Sequence, residues 1–164
     1  MLKKYLFSFV VIGLLMVGMP SYAATSVDIN WQWPALGEIT AKFHDGSYAF
    51  NQYFQHSGLD IAINQSTPVI AAAKGTVIMV QKPKKDKYSF VMLKHKDNYT
   101  TLYGHLSDID VKPGDKVNAG DIIGLSGGEP GTKGAGEYST GPHLHFELRD
   151  MGVPVNPKKF LPEL

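Results

Sequence analysis

From residue 59 onward the chain is a succession of short apolar or alternating runs, each bounded by Gly, Pro, Asp or Asn. Residues 59–63 begin such a run. Residues 68–73 lead into a turn at Lys74-Gly75, and residues 76–81 read as a strand. Residues 90–95 and 99–103 flank Lys96-Asp97-Asn98, a β-hairpin signal. Pro113-Gly114-Asp115 is a turn, and residues 121–125 form another short strand. No window keeps a 3.6-residue apolar period, so little helix is expected. The expected fold class is all-β: a compact two-sheet or half-barrel domain, with no internal repeats. Residues 126–140, with five glycines, read as a long loop delivering the chain into a last strand at His143.

That strand is chemically unusual. In extended chain, residues two apart point the same way, so His143, His145, Glu147 and Arg149 share one face. Leu144, Phe146 and Leu148 take the opposite, core face. A row of ionisable groups backing a core strand is costly unless that face lines a cleft or a metal site. Upstream, His56-Ser57-Gly58-Leu59-Asp60 places a histidine and a carboxylate where a loop enters a strand. Two histidines and a carboxylate, with water in a fourth position, are the donor set of a catalytic zinc ion. Tyr103-Gly104-His105-Leu106 adds a histidine for proton handling. Taken singly, His-x-His fits an amphipathic edge strand and His-x-x-x-Asp fits a solvated surface; their conjunction points to a metal cleft on one sheet face.

The N-terminal segment bears on compartment. Lys3 and Lys4 precede an apolar run over residues 6–19, and Ser21-Tyr22-Ala23 places small residues where a signal peptidase reads them. A signal peptide over residues 1–23 is expected, then a short lead over 24–34 and one domain over 35–164. The run is too short, and too soon followed by Pro20, for a comfortable membrane span. Cleavage would leave about 141 residues, enough for one sizeable core. It would also leave a net charge of about −1, which gives no electrostatic case for nucleic acid or an anionic membrane. The chain has no cysteine, so disulfides, thiolate ligands, a cysteine nucleophile and a cysteine-linked lipid anchor are all excluded.

Residues 111–121, with Ala72-Ala73-Lys74-Gly75-Thr76-Val77 before them, resemble the half-barrel of biotinyl and lipoyl carrier domains. The lysine triplets that carry the prosthetic group there are missing, so only the architecture transfers. A longer resemblance covers residues 33–157. His56-Ser57-Gly58-Leu59-Asp60-Ile61-Ala62, Tyr103-Gly104-His105-Leu106, and Ser139-Thr140-Gly141-Pro142-His143-Leu144-His145-Phe146-Glu147 resemble, in order, the three signatures of lysostaphin-type zinc endopeptidases. The segment Gly114 to Gly124 adds to the likeness. That resemblance implies one zinc ion held by His56, Asp60 and His145, with His105 and His143 as catalytic histidines, and peptidoglycan peptide as substrate. It makes His143 the candidate base for water, and gives His105 the developing oxyanion or the leaving amine. The protein implied is an exported monomer, periplasmic or secreted, that neither binds nucleic acid nor spans a membrane once cleaved.

Two other readings compete. A non-enzymatic regulator of cell-wall hydrolases would be marked by loss of ligands, yet all three ligands and both further histidines are present. A zinc-binding or carrier-like module is opposed by His105 and His143 standing outside the ligand set. Glu147 is expected either to orient an imidazole, or to make a structural hydrogen bond or a pair with Arg149. His44 and His95 fall outside the signatures and read as exposed or satisfied histidines. Tyr53, Tyr99 and Tyr103 lie close in sequence to the site elements; one lining the cleft would hydrogen-bond substrate, and core packing is the default for most of them. The segment 127–138 is longer than the connection usual in the resembling family, and is expected to rim the cleft or to stand as an exposed insertion.

Overall fold

The computed structural model describes residues 28–163, and the expected signal peptide lies outside them. Eleven strands make two antiparallel sheets. The large sheet contains β1 (Glu38–Ala41), β2 (Leu59–Ala62), β4 (Gly75–Gln81), β5 (Phe90–Lys94), β6 (Tyr99–Gly104), β8 (Lys116–Val117), β10 (His143–Asp150) and β11 (Val153–Val155). Its order is β1-β2-β10-β6-β5-β4-β8, with β11 paired to β10. The small sheet runs β3 (Pro68–Ile70), β9 (Ile122–Ser126), β7 (Leu106–Ile109). Helix is confined, among the described residues, to two single 3-10 turns, Lys96–Asn98 and Pro157–Lys159. The expected all-β, two-sheet fold is present, and neither sheet closes into a barrel.

Alternation explains the packing. Leu59 and Ile61 of β2, Val91 and Leu93 of β5, Tyr103 of β6, and Leu144, Phe146 and Leu148 of β10 are fully buried on the inner face. They meet Val69, Leu106 and Ile123 of the small sheet in one cluster. Each such large apolar side chain contributes about 1.5–3 kcal/mol by leaving water. Trp31 and Trp33, assigned from sequence to a lead, are buried in this cluster, and the Trp33 indole N–H donates to the Pro162 carbonyl at 2.9 Å. The packed body therefore begins several residues before position 35.

The expected β5–β6 hairpin forms, with Asp97 and Asn98 both in the left-handed region (φ 55° and 63°) that a tight turn requires. Strands β1, β7, β8 and β11 were not legible from the pattern. They are two to four residues long, too short for alternation to register. The segment 127–142 carries no strand, but isolated bridges tie it to the rest: Gly127 to His143, Lys133 to Lys85, and Gly134 to Tyr88.

Candidate metal centre and proton-handling histidines

Register builds the site. Across β2, β10 and β6, Asp60 stands opposite His145 and His145 opposite Gly104. Asp60 and His145 thus share the outer face, directly behind Leu59, Ile61, Leu144 and Phe146. His56 arrives from the preceding loop through Gly58, which packs so tightly that a Cβ there would lie 2.3 Å from the Phe146 carbonyl oxygen. Glycine alone allows that approach.

Three acceptor atoms converge. His56 Nε2, Asp60 Oδ1 and His145 Nδ1 form a triangle with edges of 3.0, 2.8 and 3.1 Å. All three residues are buried. Their outer contacts fix which ring nitrogens carry protons. His56 Nδ1–H donates to the Lys42 carbonyl at 2.8 Å, and His145 Nε2–H donates to Glu147 Oε1 at 3.1 Å. Both imidazoles therefore turn lone pairs inward, towards a carboxylate oxygen, and three lone pairs facing one point need a cation between them. Ligand atoms of a tetrahedral zinc stand about 3.3 Å apart, a few tenths of an ångström wider than this triangle. The donor set fits zinc.

Electrostatics point the same way. Burial alone would raise the Asp60 carboxyl, but its close contacts with His145 and His56 outweigh it and hold it well below the usual carboxylate range. Burial works against a charged His145, yet hydrogen bonds to Asp60 and Glu147, and their charges, lift it to about 9. The site demands positive charge, supplied by a proton when no metal is bound. Glu147 is buried and its carboxyl is pulled down to about 2, as contacts from His145, Ser57 and Arg149 overcome burial. It accepts from Ser57 Oγ at 2.5 Å and from Arg149 Nε at 2.7 Å. Both expected roles of Glu147 coexist: it orients an imidazole and pairs with Arg149.

His143 and His105 flank the triangle. His143 Nδ1–H donates to the Gly141 carbonyl at 2.8 Å, and its Nε2 lies 3.8 Å from Asp60 Oδ1. His105 Nδ1–H donates to the Ala135 carbonyl at 2.7 Å. Burial, helped by the charges of His143 and His145, holds His105 down at about 3. Each ring thus keeps Nε2 as a free lone pair. The two rings stand 4.3 Å apart between centroids. His105 has φ 58°, a strained conformation for a residue with a Cβ, and sits where the chain leaves β6 for β7 of the other sheet.

Two cavities meet at the triangle. One, of about 400 Å³, is lined by Thr40, Ser47, Asp60, Thr140 and His143; the other, of about 300 Å³, by Phe54, Tyr88, His105, Ala135 and His145. Tyr48 and Tyr138 border both. The segment 127–138 rims the cleft through Ala135 and Tyr138. The tyrosines lining the cleft are Tyr48, Tyr88 and Tyr138. Sequence reasoning singled out none of them, and only the signal Tyr88-Ser89-Phe90, an alternation ahead of β5, was available.

The sequence profile of peptidase family M23 matches residues 54–157, which contain the triangle and both flanking histidines. This chain belongs to peptidase family M23. It is 44% identical over 105 residues to the peptidoglycan DD-endopeptidase ShyA of Vibrio cholerae, which covers 63% of this chain and 22% of that protein. It is 31% identical over 144 residues to the murein hydrolase activator NlpD of Salmonella dublin, covering 87% of this chain and 34% of that protein. Among solved structures, the catalytic domain of lysostaphin from Staphylococcus simulans superposes with a TM-score of 0.62 at 30% identity, over 76% of this chain and 91% of that one. The chain spans between 20% and 45% of the length of the first curated relatives it matches.

Proposed function

We propose that this M23 chain is an exported zinc endopeptidase that hydrolyses peptide bonds in bacterial cell-wall peptidoglycan. The observation that carries the reading is the convergence of three inward lone pairs, from His56, Asp60 and His145, beside two histidines whose Nε2 atoms are uncommitted. Cavities on both sides of the triangle leave room for peptide to run through the site, as cleavage within a chain requires. Export is supported by the Lys3–Lys4 and Ser21-Tyr22-Ala23 pattern and by the description of a Pseudomonas aeruginosa relative as a lipoprotein. Among the described residues no helix is long and apolar enough to cross a membrane.

His56, Asp60 and His145 would hold the zinc ion, which when bound supplies Lewis acidity that polarises a carbonyl and lowers the pKa of water towards about 7. His143 takes the proton of the attacking water at Nε2. The Asp60 carboxylate, 3.8 Å away, then stabilises the imidazolium. His105 begins as an acceptor, because its proton is committed to Ala135. Once His105 has received at Nε2 the proton that His143 took from water, it becomes a strong acid, since burial disfavours its cation. It then protonates the leaving amine. Glu147, clamped by Ser57 and Arg149, keeps the His145 proton on Nε2 and its lone pair inward.

The test is digestion of purified peptidoglycan by the zinc-loaded protein, with released muropeptides read by mass spectrometry and His143→Ala run alongside. Cleavage by the wild type alone identifies the enzyme and the bond. A folded, zinc-loaded protein that releases nothing from walls with and without glycine bridges favours the second reading, a hydrolase activator, which the NlpD relative keeps in view.

A further inference from the structure

The row of side chains that carries the metal ligands contains a gap. Across the outer face of the large sheet Asp60 faces His145, His145 faces Gly104, and Gly104 faces Phe90. Gly104 contributes no side chain, and a residue from outside the row fills its place. A Cβ on Gly104 would lie 2.0 Å from the hydroxyl oxygen of Tyr88 and 2.7 Å from its Cζ. The phenol end of Tyr88 therefore occupies the position beside His145 on the sheet face.

Tyr88 is held there from several sides. Its ring stands edge-on to His105, 4.7 Å between centroids, and packs against Phe90 at 5.9 Å. Its backbone bridges to Gly134, and its carbonyl accepts from the Gln81 side-chain amide at 2.9 Å. It lines the cavity shared by His105, His145 and Glu147. Among the described residues its hydroxyl makes no hydrogen bond to protein, whereas the groups nearest the triangle are committed. Ser57 and Arg149 donate to Glu147, and His105 and His145 donate to Ala135 and Glu147.

The donors left in that cavity are phenols, those of Tyr48, Tyr88 and Tyr138. The zinc ligands present lone pairs, and so do both flanking histidines at Nε2. Hydrolysis of a peptide bond builds negative charge on the scissile carbonyl oxygen, and a donor fixed in place before the reaction stabilises it without reorganisation. We propose that the Tyr88 hydroxyl donates a hydrogen bond to the carbonyl oxygen of bound peptide, on the His105 side of the cleft, and strengthens it as that oxygen gains charge. A phenol is protonated at neutral pH, so the donor is present throughout the working range. Tyr48, stacked on His56 at 4.3 Å, and Tyr138 border both cavities, whereas Tyr88 lines only the one that holds His105.

The proposal rests on the endopeptidase reading, and its test separates the two. Wild type and Tyr88→Phe, both zinc-loaded, are compared for kcat and KM on peptidoglycan, for zinc content, and for calorimetric affinity towards a phosphinic peptide whose tetrahedral oxygens mimic the charged carbonyl. Removing the hydroxyl is expected to lower kcat on the order of 100-fold and to weaken phosphinate binding at least tenfold. KM and zinc content should stay within twofold of wild type. Gly104→Ala displaces the phenol by its Cβ and should reproduce these losses, with no further loss in the double variant. If wild type cleaves and Tyr88→Phe retains its kcat, or if the variant loses zinc instead, the proposal is overturned. If wild type does not cleave, the endopeptidase reading fails. The phosphinate arm still decides the hydroxyl: equal affinity of the two proteins overturns its role, and a Tyr88-dependent affinity upholds it.

Discussion

Two buried histidine networks in this molecule look alike in composition and behave differently. Around His95, Nδ1 contacts the Lys74 carbonyl at 2.9 Å and Nε2 contacts Thr101 Oγ1 at 2.7 Å; Thr101 lies 3.0 Å from the Tyr103 hydroxyl, which accepts the Ala72 N–H at 2.8 Å. Hydroxyl protons rotate to suit their partners, so this relay can be satisfied with every group neutral and nothing left over. Burial accordingly pushes His95 below its ordinary pKa. Around His145 the contacts are as short, yet three acceptors face one another and the residue is lifted to about 9. A buried histidine is therefore no mark of a site by itself. A surplus of lone pairs aimed at one point is.

Removing members of each network sharpens that contrast. His56→Ala, Asp60→Ala or His145→Ala should abolish zinc binding and reduce activity to background, read by metal analysis and by muropeptide release. Chelation of the wild type should lower its melting temperature, since metal binds the folded state preferentially. His143→Ala should lose activity by roughly 10²–10⁴-fold while zinc stays bound. If it loses zinc as completely as His145→Ala, the division between ligand and base is wrong. Glu147→Ala should weaken zinc affinity roughly 10–100-fold, measured by competition with a chelator.

The His95 network should respond in stability alone. His95→Leu leaves the Lys74 carbonyl and Thr101 without their partner and should cost about 1–3 kcal/mol in denaturant unfolding, with activity per folded molecule unchanged. A smaller effect is expected with pH. His95 is depressed in the fold, so the unfolded chain binds the extra proton, and its contribution is complete above about 6.5 and lost as pH falls below that value. Wild type should therefore lose more stability than His95→Leu between pH 7.5 and 5.5. Equal losses would mean that His95 is not neutral in the fold.

Much of this was legible beforehand because it is local. Period-two alternation placed Leu144, Phe146 and Leu148 opposite His143 and His145, and the structure keeps that division. The hairpin at Lys96–Asn98 followed from turn chemistry. Strands β7 and β11 escaped notice because a three- or four-residue strand carries too few positions to show a period. Tyr88 escaped because nothing in its neighbours reveals that Gly104, sixteen positions on, leaves a space of its size.

Residue types and their spacing set which chemistry was available: nitrogen and oxygen donors without thiols, one histidine pair on a strand face, and glycines where backbones must approach. Convergence came from the packing of strands. Asp60 and His145, 85 positions apart, meet because one register of β2 on β10 buries both apolar faces, and a slip of one residue would turn both into the core. His105 and Tyr88 reach the same cleft through a strained turn and a missing side chain. Both are properties of packed strands rather than of any short stretch of chain.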